Sequence, residues 1–365
     1  MTAYPAEIPF LSTISLMLTY KCTIACPHCI VGAGPNRKEE MSLRHALDWI
    51  DEAASYRKGM IKGIALTGGE PFYNISNLVE ISSHAKQSGF VVSVVTNAFW
   101  AVTEEQAIET LQRVPALQMI SISTDIYHQQ FITLENIHNA VQAARQLGRH
   151  YNIAICTDSD EDERYKAILD TLKTFIEPEK IRIAITFPAG RAQKHQHTFN
   201  HQTSPEPTVS ACSMTSAPVV FPDGKVMACI GPLLTLPESC PMCLGNLQKQ
   251  TLAEILDQAE LNPVLHIIRV WGPHKLVSLL REYEHGDLLP KEYICNSHCD
   301  ICYKLLSNDR IIALLSDILE EKENLYILAY ARMHYLKEPD MIQKYHLDGT
   351  EHIDLSNKLL QPDRF

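Results

Sequence analysis

From residue 12 to residue 188, short runs of apolar and β-branched residues alternate with longer stretches whose apolar positions recur at helical spacing. The runs STISLMLTY (12–20), KGIALT (62–67), FVVSVVT (90–96), LQMISIS (117–123), YNIAIC (151–156) and IRIAITF (181–187) read as strands. LRHALDWIDEAASY and LENIHNAVQAARQL, among the intervening stretches, read as amphipathic helices. Strand–helix units in series predict a parallel sheet with right-handed crossovers and helices on its outer face. Six units fall short of an eight-fold barrel, so the expected fold class is α/β, a partial (β/α)6 TIM-like barrel. Its ligand should lie at the carboxyl ends of the strands, where the strand-to-helix loops converge.

The pattern breaks after residue 188. The stretch AGRAQKHQHTFNHQTSPEP is polar and rich in Gln, His and Pro, which marks a linker or lid. A hairpin is expected within 211–229, where VVFPDGKVMAC turns at Asp223-Gly224. Helical patterns follow over 251–260, 262–283 and 305–336.

Composition narrows the class. A chain of 365 residues with 45% hydrophobic and 21% charged content can bury a full core. No window approaches eighteen uninterrupted apolar residues, and MTAYPAEIPF lacks the basic-then-apolar pattern of an export signal, so a soluble, cytoplasmic protein is expected. Eleven cysteines in such a chain point to metal binding or redox chemistry rather than disulfides. The formal charge of −11 argues against a nucleic-acid partner. The acidic run DSDEDER (158–164) reads as a solvated loop and helix start.

The cysteines fall in groups. Cys22, Cys26 and Cys29 stand at C-x3-C-x2-C spacing just after the first strand. Three thiolates leave one iron of a four-iron cube without a protein ligand, whereas zinc fingers and ordinary ferredoxins supply four. Thr67-Gly68-Gly69-Glu70-Pro71 follows the second strand, and only a backbone without a Cβ can come very close to a ligand there. In the triplet and the GGEP loop together, the chain resembles the radical SAM enzymes. The resemblance implies that the open iron is chelated by S-adenosylmethionine, whose reductive cleavage yields a 5′-deoxyadenosyl radical. It implies that Gly68, Gly69, Glu70 and Pro71 meet the methionine amino group and that His28 packs near the adenine. Thr96 and Asn97 after the third strand, and Ser123 with Asp125 after the fourth, stand where that superfamily contacts the methionine carboxylate and ribose.

Cys212 and Cys229 flank the expected hairpin, Cys240 and Cys243 follow, and Cys295, Cys299 and Cys302 form a second triplet. This arrangement resembles the SPASM and twitch extensions that carry auxiliary iron–sulfur clusters. One four-iron cluster on Cys212, Cys229, Cys299 and Cys302 is what twitch-like members imply. For Cys240, Cys243 and Cys295 a second cluster, a zinc site and free thiols are all open. Cys156, inside a strand, reads as a buried small apolar residue. The resulting division is a radical SAM partial barrel (1–190), a linker or lid (191–208), an auxiliary iron–sulfur domain (209–306) and a helical tail (307–365).

TNAFWA, ISTDIYHQQF, PDGKVMAC and HCDIC, in that order, resemble the twitch-type epimerases of the epipeptide kind, which act on a ribosomally made peptide. The resemblance implies a peptide substrate and an electron donor such as flavodoxin or ferredoxin, with no membrane partner. A small-molecule dehydrogenase of the twitch type is the alternative. Those epimerases quench the substrate radical with a cysteine beside an auxiliary-cluster ligand, and here Ile230 follows Cys229. Cys240 or Cys243 would then supply the hydrogen, or the radical would end in dehydrogenation or cross-linking. Tyr127 and His128 are candidates to line the substrate pocket or act as a base, and Arg191 to grip a carboxylate through its fork. About eleven residues precede the first strand, so no separate leader-binding module is expected.

Overall fold

The structure is a computed structural model that describes residues 11–347 except Gly59, Pro232, Leu233 and Thr235. The N-terminal ten residues and the part of the expected tail from 348 to 365 lie outside the described residues.

The six alternating runs form strands β1 (Thr13–Met17), β2 (Gly63–Thr67), β3 (Val91–Thr96), β4 (Met119–Ser123), β5 (His150–Thr157) and β6 (Ile181–Ile185). They pair in sequence order and all in parallel. Helices α1 (Leu43–Ser55), α2 (Ile75–Gln87), α3 (Glu104–Gln112), α4 (Leu134–Gln146) and α5 (Glu163–Lys173) make the crossovers. The two-residue period is visible in burial: along β5, Tyr151, Ile153, Ile155 and Thr157 are buried, while Asn152, Ala154 and Cys156 on the other face are only half-buried. This is the partial barrel, with one face packed under helices and the other, small and polar, lining a lumen.

After β7 (Thr203–Ser204), the hairpin forms from β8 (Val219–Val220) and β9 (Lys225–Met227), with Gly224 at φ 80° in the expected turn. It does not stand apart. β8 pairs in parallel with β1 on the edge away from β2, and β10 (Cys243–Asn246) pairs with β9, so one nine-stranded sheet runs β10-β9-β8-β1-β2-β3-β4-β5-β6. The 191–208 segment is also tied down, because β7 pairs with β11 (Tyr293–Ile294).

The helical part differs from the expected boundaries. After α6 (Leu252–Glu260), the stretch 262–283 is two helices, α7 (Pro263–Val270) and α8 (His274–Glu282), because Gly272 at φ 105° and Pro273 interrupt it. The stretch 305–336 holds the end of α9 (His298–Leu306), then α10 (Asp309–Glu320) and α11 (Lys322–Tyr335). The break between α9 and α10 comes where the Asn308 side chain caps α10 by accepting from the Arg310 amide. A short α12 (Met341–Lys344) closes the described chain.

Two loops fix the cysteine segment. The residues after β1 run between 34–41 on one side and the turn after β2 on the other, through Tyr20 N to Glu39 O (2.9 Å), Gly69 N to Thr19 O (2.6 Å) and Glu70 N to Lys21 O (2.9 Å). A Cβ on Gly69 would overlap the Lys21 carbonyl oxygen, and one on Gly68 would lie 2.6 Å from that of Thr19. The close approach these glycines permit is thus to the chain itself. At the far end of the barrel sequence, Gly190 takes φ 59°, and a Cβ there would overlap the Ile30 carbonyl oxygen. Gly69→Ala and Gly190→Ala should each lower stability by about 1–3 kcal/mol, the usual cost of overpacking, read as a shift in urea midpoint against Gly286→Ala, whose Cβ would make only an ordinary contact with the Arg281 side chain at 3.8 Å.

Candidate functional site

The carboxyl ends of the strands carry the chemistry. On the cysteine loop, Cys22 and Cys26 are buried and Cys29 is half-buried, all three as free thiols. The loop turns through Cys29 N to Cys26 O (3.2 Å) and Gly32 N to Cys29 O (3.1 Å). From beyond β6, Arg191 braces it: the backbone N–H donates to Cys29 O (3.0 Å), Nη1 donates to Cys26 O (2.8 Å) and Nη2 donates to Ala33 O. The fork expected for a ligand carboxylate therefore grips the carbonyls of the cysteine loop.

After β2, Glu70 is fully buried. Its Oε1 accepts from Phe72 N (3.0 Å) and Thr96 Oγ1 (2.9 Å), and Oε2 accepts from Asn97 N (2.8 Å). Burial nevertheless pushes its carboxyl up to about 7, against the pull of those donors. Its carboxylate thus joins the ends of β2 and β3, and Pro71 starts the short turn it caps. Thr96 Oγ1 also accepts from Ala98 N (3.1 Å) and Trp100 Nε1 (3.0 Å). Asn97 Nδ2 reaches back to Cys22 Sγ (3.6 Å) and Thr23 Oγ1 (3.2 Å), so the third strand holds the first cysteine.

After β4, Asp125 is buried and its Oδ1 accepts from the backbone N–H of Tyr127 and of His128, each at 2.9 Å. Its Oδ2 lies 2.8 Å from His128 Nδ1 and 3.6 Å from His28 Nε2. Although burial opposes ionisation of both, the charges of Asp125 and His128 favour each other, holding the carboxyl well below and the imidazole well above their usual ranges. Burial lowers His28 to about 4, and its Nδ1 has no hydrogen-bond partner among the described residues. The His28 ring lies 4.6 Å from Tyr127 and 5.1 Å, edge-on, from His128. Ser123 lies on the half-buried lumen face.

Three residues of this cluster escaped the sequence reading. Asp158, the first residue of the acidic run, is buried rather than solvated. It accepts from Tyr127 Oη, Thr186 Oγ1 (3.0 Å) and Asn200 N (3.2 Å). Phe199 meets Tyr127 edge-on at 5.7 Å and stacks on His201 at 5.6 Å, which brings the 191–208 segment onto the barrel mouth. Cys156 is no simple core residue: it stands on the lumen face, its N–H donates to Asp125 Oδ2 (3.4 Å), and its sulfur groups with His28 and Asp125 within 4.8 Å. The alternation along β5, which puts it opposite Ile155, was the available signal.

The second group also assembles. A Cβ at Gly231 would stand 3.2 Å from Cys229 Sγ and 3.7 Å from Cys299 Sγ. Burial pushes Cys229 up to about 12 and Cys299 and Cys302 well above the ordinary thiol range, and neighbouring sulfurs, Cys212 among them, add to the rise at all three. Buried soft donors that raise one another fit an iron–sulfur centre, whose charge would reverse the effect. Cys240 is buried beside this group, with Cys229 and Cys302 both sensing it, and its amide region turns directly into Cys243, whose N–H donates to Cys240 O (2.8 Å). Cys295 is half-buried, its N–H donating to Gln202 O (2.9 Å).

The raised carboxyl of Glu70 sets a pH dependence. With its folded value above the unfolded one, the stability tied to this group is complete below about 4.5 and lost as pH rises through about 7. The loss is of order 3 kcal/mol. In the cluster-free protein, Glu70→Gln should flatten the fall in urea midpoint between these pH values, and an unchanged slope would show that Glu70 does not titrate there.

Residues 16–172 match the Radical SAM superfamily. The chain is 23% identical over 316 residues to the "Putative peptide biosynthesis protein YydG" of Bacillus subtilis (strain 168), covering 86% of this chain and 97% of that protein. Among solved structures, BtrN in complex with AdoMet and 2-DOIA is similar at a TM-score of 0.36 and 14% identity, over 71% of this chain and 88% of that one. No helix among the described residues is long and apolar enough to cross a membrane. With three free cysteines on the loop after the first strand of a partial barrel, and with the sequence match running from that strand through the fifth crossover helix, residues 16–172 are a radical SAM domain.

Proposed function

We propose that this radical SAM enzyme abstracts hydrogen from a ribosomally made peptide. The observation that carries the reading is the similarity to a peptide biosynthesis protein along 86% of the chain, from barrel through cysteine-bearing extension. Cys22, Cys26 and Cys29 are free, share one loop and have no fourth cysteine on it, a donor set that fits a four-iron cluster with one open iron. When bound, that cluster and S-adenosylmethionine supply a one-electron reductant and a carbon-centred radical. A flavodoxin or ferredoxin would deliver the electron.

The chain's own part is holding and enclosing. Asn97, just after β3, and Arg191, beyond β6, fix the cysteine loop from two directions. Gly68 to Pro71, Thr96 and Asn97 form one bonded corner, which we assign to the methionine end of the nucleotide. His28, Ser123 and Asp125 line the lumen side that we assign to the adenosine. Tyr127 and Phe199, bolted through Asp158, form a wall that excludes water at the mouth. Cys212, Cys229, Cys299 and Cys302 are the set for an auxiliary cluster, in a domain we place at 209–306, with the helices from 307 onward packed behind it.

Anaerobically reconstituted protein with dithionite and S-adenosylmethionine should form 5′-deoxyadenosine, and Cys26→Ala should reduce it to background by chromatography. Cys229→Ala should lose about four irons per chain on iron counting while keeping the loop cluster. The peptide reading is tested by searching the neighbouring reading frames for a short precursor peptide and synthesising any such peptide with deuterium at each Cα in turn. Transfer of deuterium into deoxyadenosine is the expected result, and none from any position would sink it.

A further inference from the structure

The loop cluster of a radical enzyme is reduced only with difficulty, so any group that donates a hydrogen bond to one of its sulfurs changes how readily it accepts an electron. Asn97 Nδ2 is one donor of this kind, to Cys22 Sγ, and a second is built around Asp125. Asp125 is buried, and two of its contacts converge on residue 128, the backbone N–H to Oδ1 at 2.9 Å and the ring Nδ1 to Oδ2 at 2.8 Å, while the neighbouring Tyr127 N–H fixes the carboxylate at 2.9 Å. With Nδ1 engaged by the carboxylate, Nε2 is the ring nitrogen left to face elsewhere. The metal-ligating atoms of Cys26, His28 and His128 all lie within 4.8 Å of one another, which puts the His128 ring beside the Cys26 sulfur. His28 packs edge-on to the His128 ring at 5.1 Å, which restricts its rotation.

We propose that His128, oriented by Asp125, is a positioning residue that donates a hydrogen bond from Nε2 to the Cys26 sulfur and thereby raises the reduction potential of the three-cysteine cluster. The physics is that of a second-shell donor: density withdrawn from a thiolate stabilises the more negative, reduced cluster, and burial strengthens the effect because no water competes for the sulfur. The Asp125–His128 pair has the form of the carboxylate–histidine units that orient metal ligands, here turned so that the imidazole addresses a sulfur rather than an ion. The proposal rests on the radical SAM reading and goes beyond it in assigning a task to His128 separate from any contact with substrate.

The test is a redox titration of the reconstituted full-length holoenzyme without S-adenosylmethionine, followed by electron paramagnetic resonance. The signal of the loop cluster is identified as the one missing from a Cys22→Ala, Cys26→Ala, Cys29→Ala variant. His128→Phe should shift its midpoint to more negative potential and leave that of the other cluster in place. Asp125→Asn should shift it in the same direction, and His128→Gln, which keeps an N–H, should restore part of the difference. Equal midpoints in wild type and His128→Phe, or a Gln variant as displaced as the Phe one, would overturn the assignment. In wild type carrying [15N]histidine, a weak nitrogen coupling to the reduced loop cluster is expected, and its absence would overturn the assignment even if no variant took up iron. A wild-type protein that forms no such cluster at all would instead overturn the radical SAM reading, and this proposal with it.

Discussion

The backbone pairing of residues 19–21 with the turn after β2 is the constraint on which the site depends. Gly69 N and Glu70 N donate to the carbonyls of Thr19 and Lys21, at a separation that leaves no room for a Cβ on either glycine. Because Glu70 then reaches on to Thr96 and Asn97, and Asn97 to Cys22, the ends of the first three strands form one closed circuit of hydrogen bonds around the first cysteine. A cluster loop built on an otherwise irregular segment is thereby referred to the rigid sheet, which is what precise placement of a metal ligand demands.

The opposite side of the lumen is organised by buried carboxylates. Asp125 gathers His28, His128 and Cys156, and Asp158 gathers Tyr127, Thr186 and the amide of Asn200. Both acids follow their strands closely, and both find hydrogen-bond donors from other strands, so neither carboxyl is buried without partners. The 191–208 segment, which as sequence is only polar punctuation, is anchored here by Phe199, Asn200 and His201.

The barrel was legible because its six apolar, β-branched runs are separated in sequence by amphipathic helices, and the three cysteines and GGEP fall at strand ends that this pattern locates. What was not legible is whatever depends on partners far along the chain. Arg191 sits 165 residues from the Cys26 carbonyl it holds. Asp158 reads as solvated because it opens an acidic run, and only the arrival of Tyr127 and Thr186 makes its burial tolerable. The hairpin was found from its Asp-Gly turn, but its pairing with β1 was not, since a two-residue strand carries no register signal. The break in 262–283 did have a local cause in Gly272-Pro273, and the helical periodicity on either side masked it.

That pairing of β8 with β1 has a structural outcome of its own. β9 lies two strands from β1 in a continuous sheet, a separation of about 10 Å. β9 runs antiparallel to β8 and therefore to β1, so Cys22 and Cys229 leave these strands at opposite ends of the sheet, and their placement is set by inter-strand hydrogen bonding and not by a tether. Motion at the barrel mouth therefore leaves the relative placement of these two strand ends unchanged.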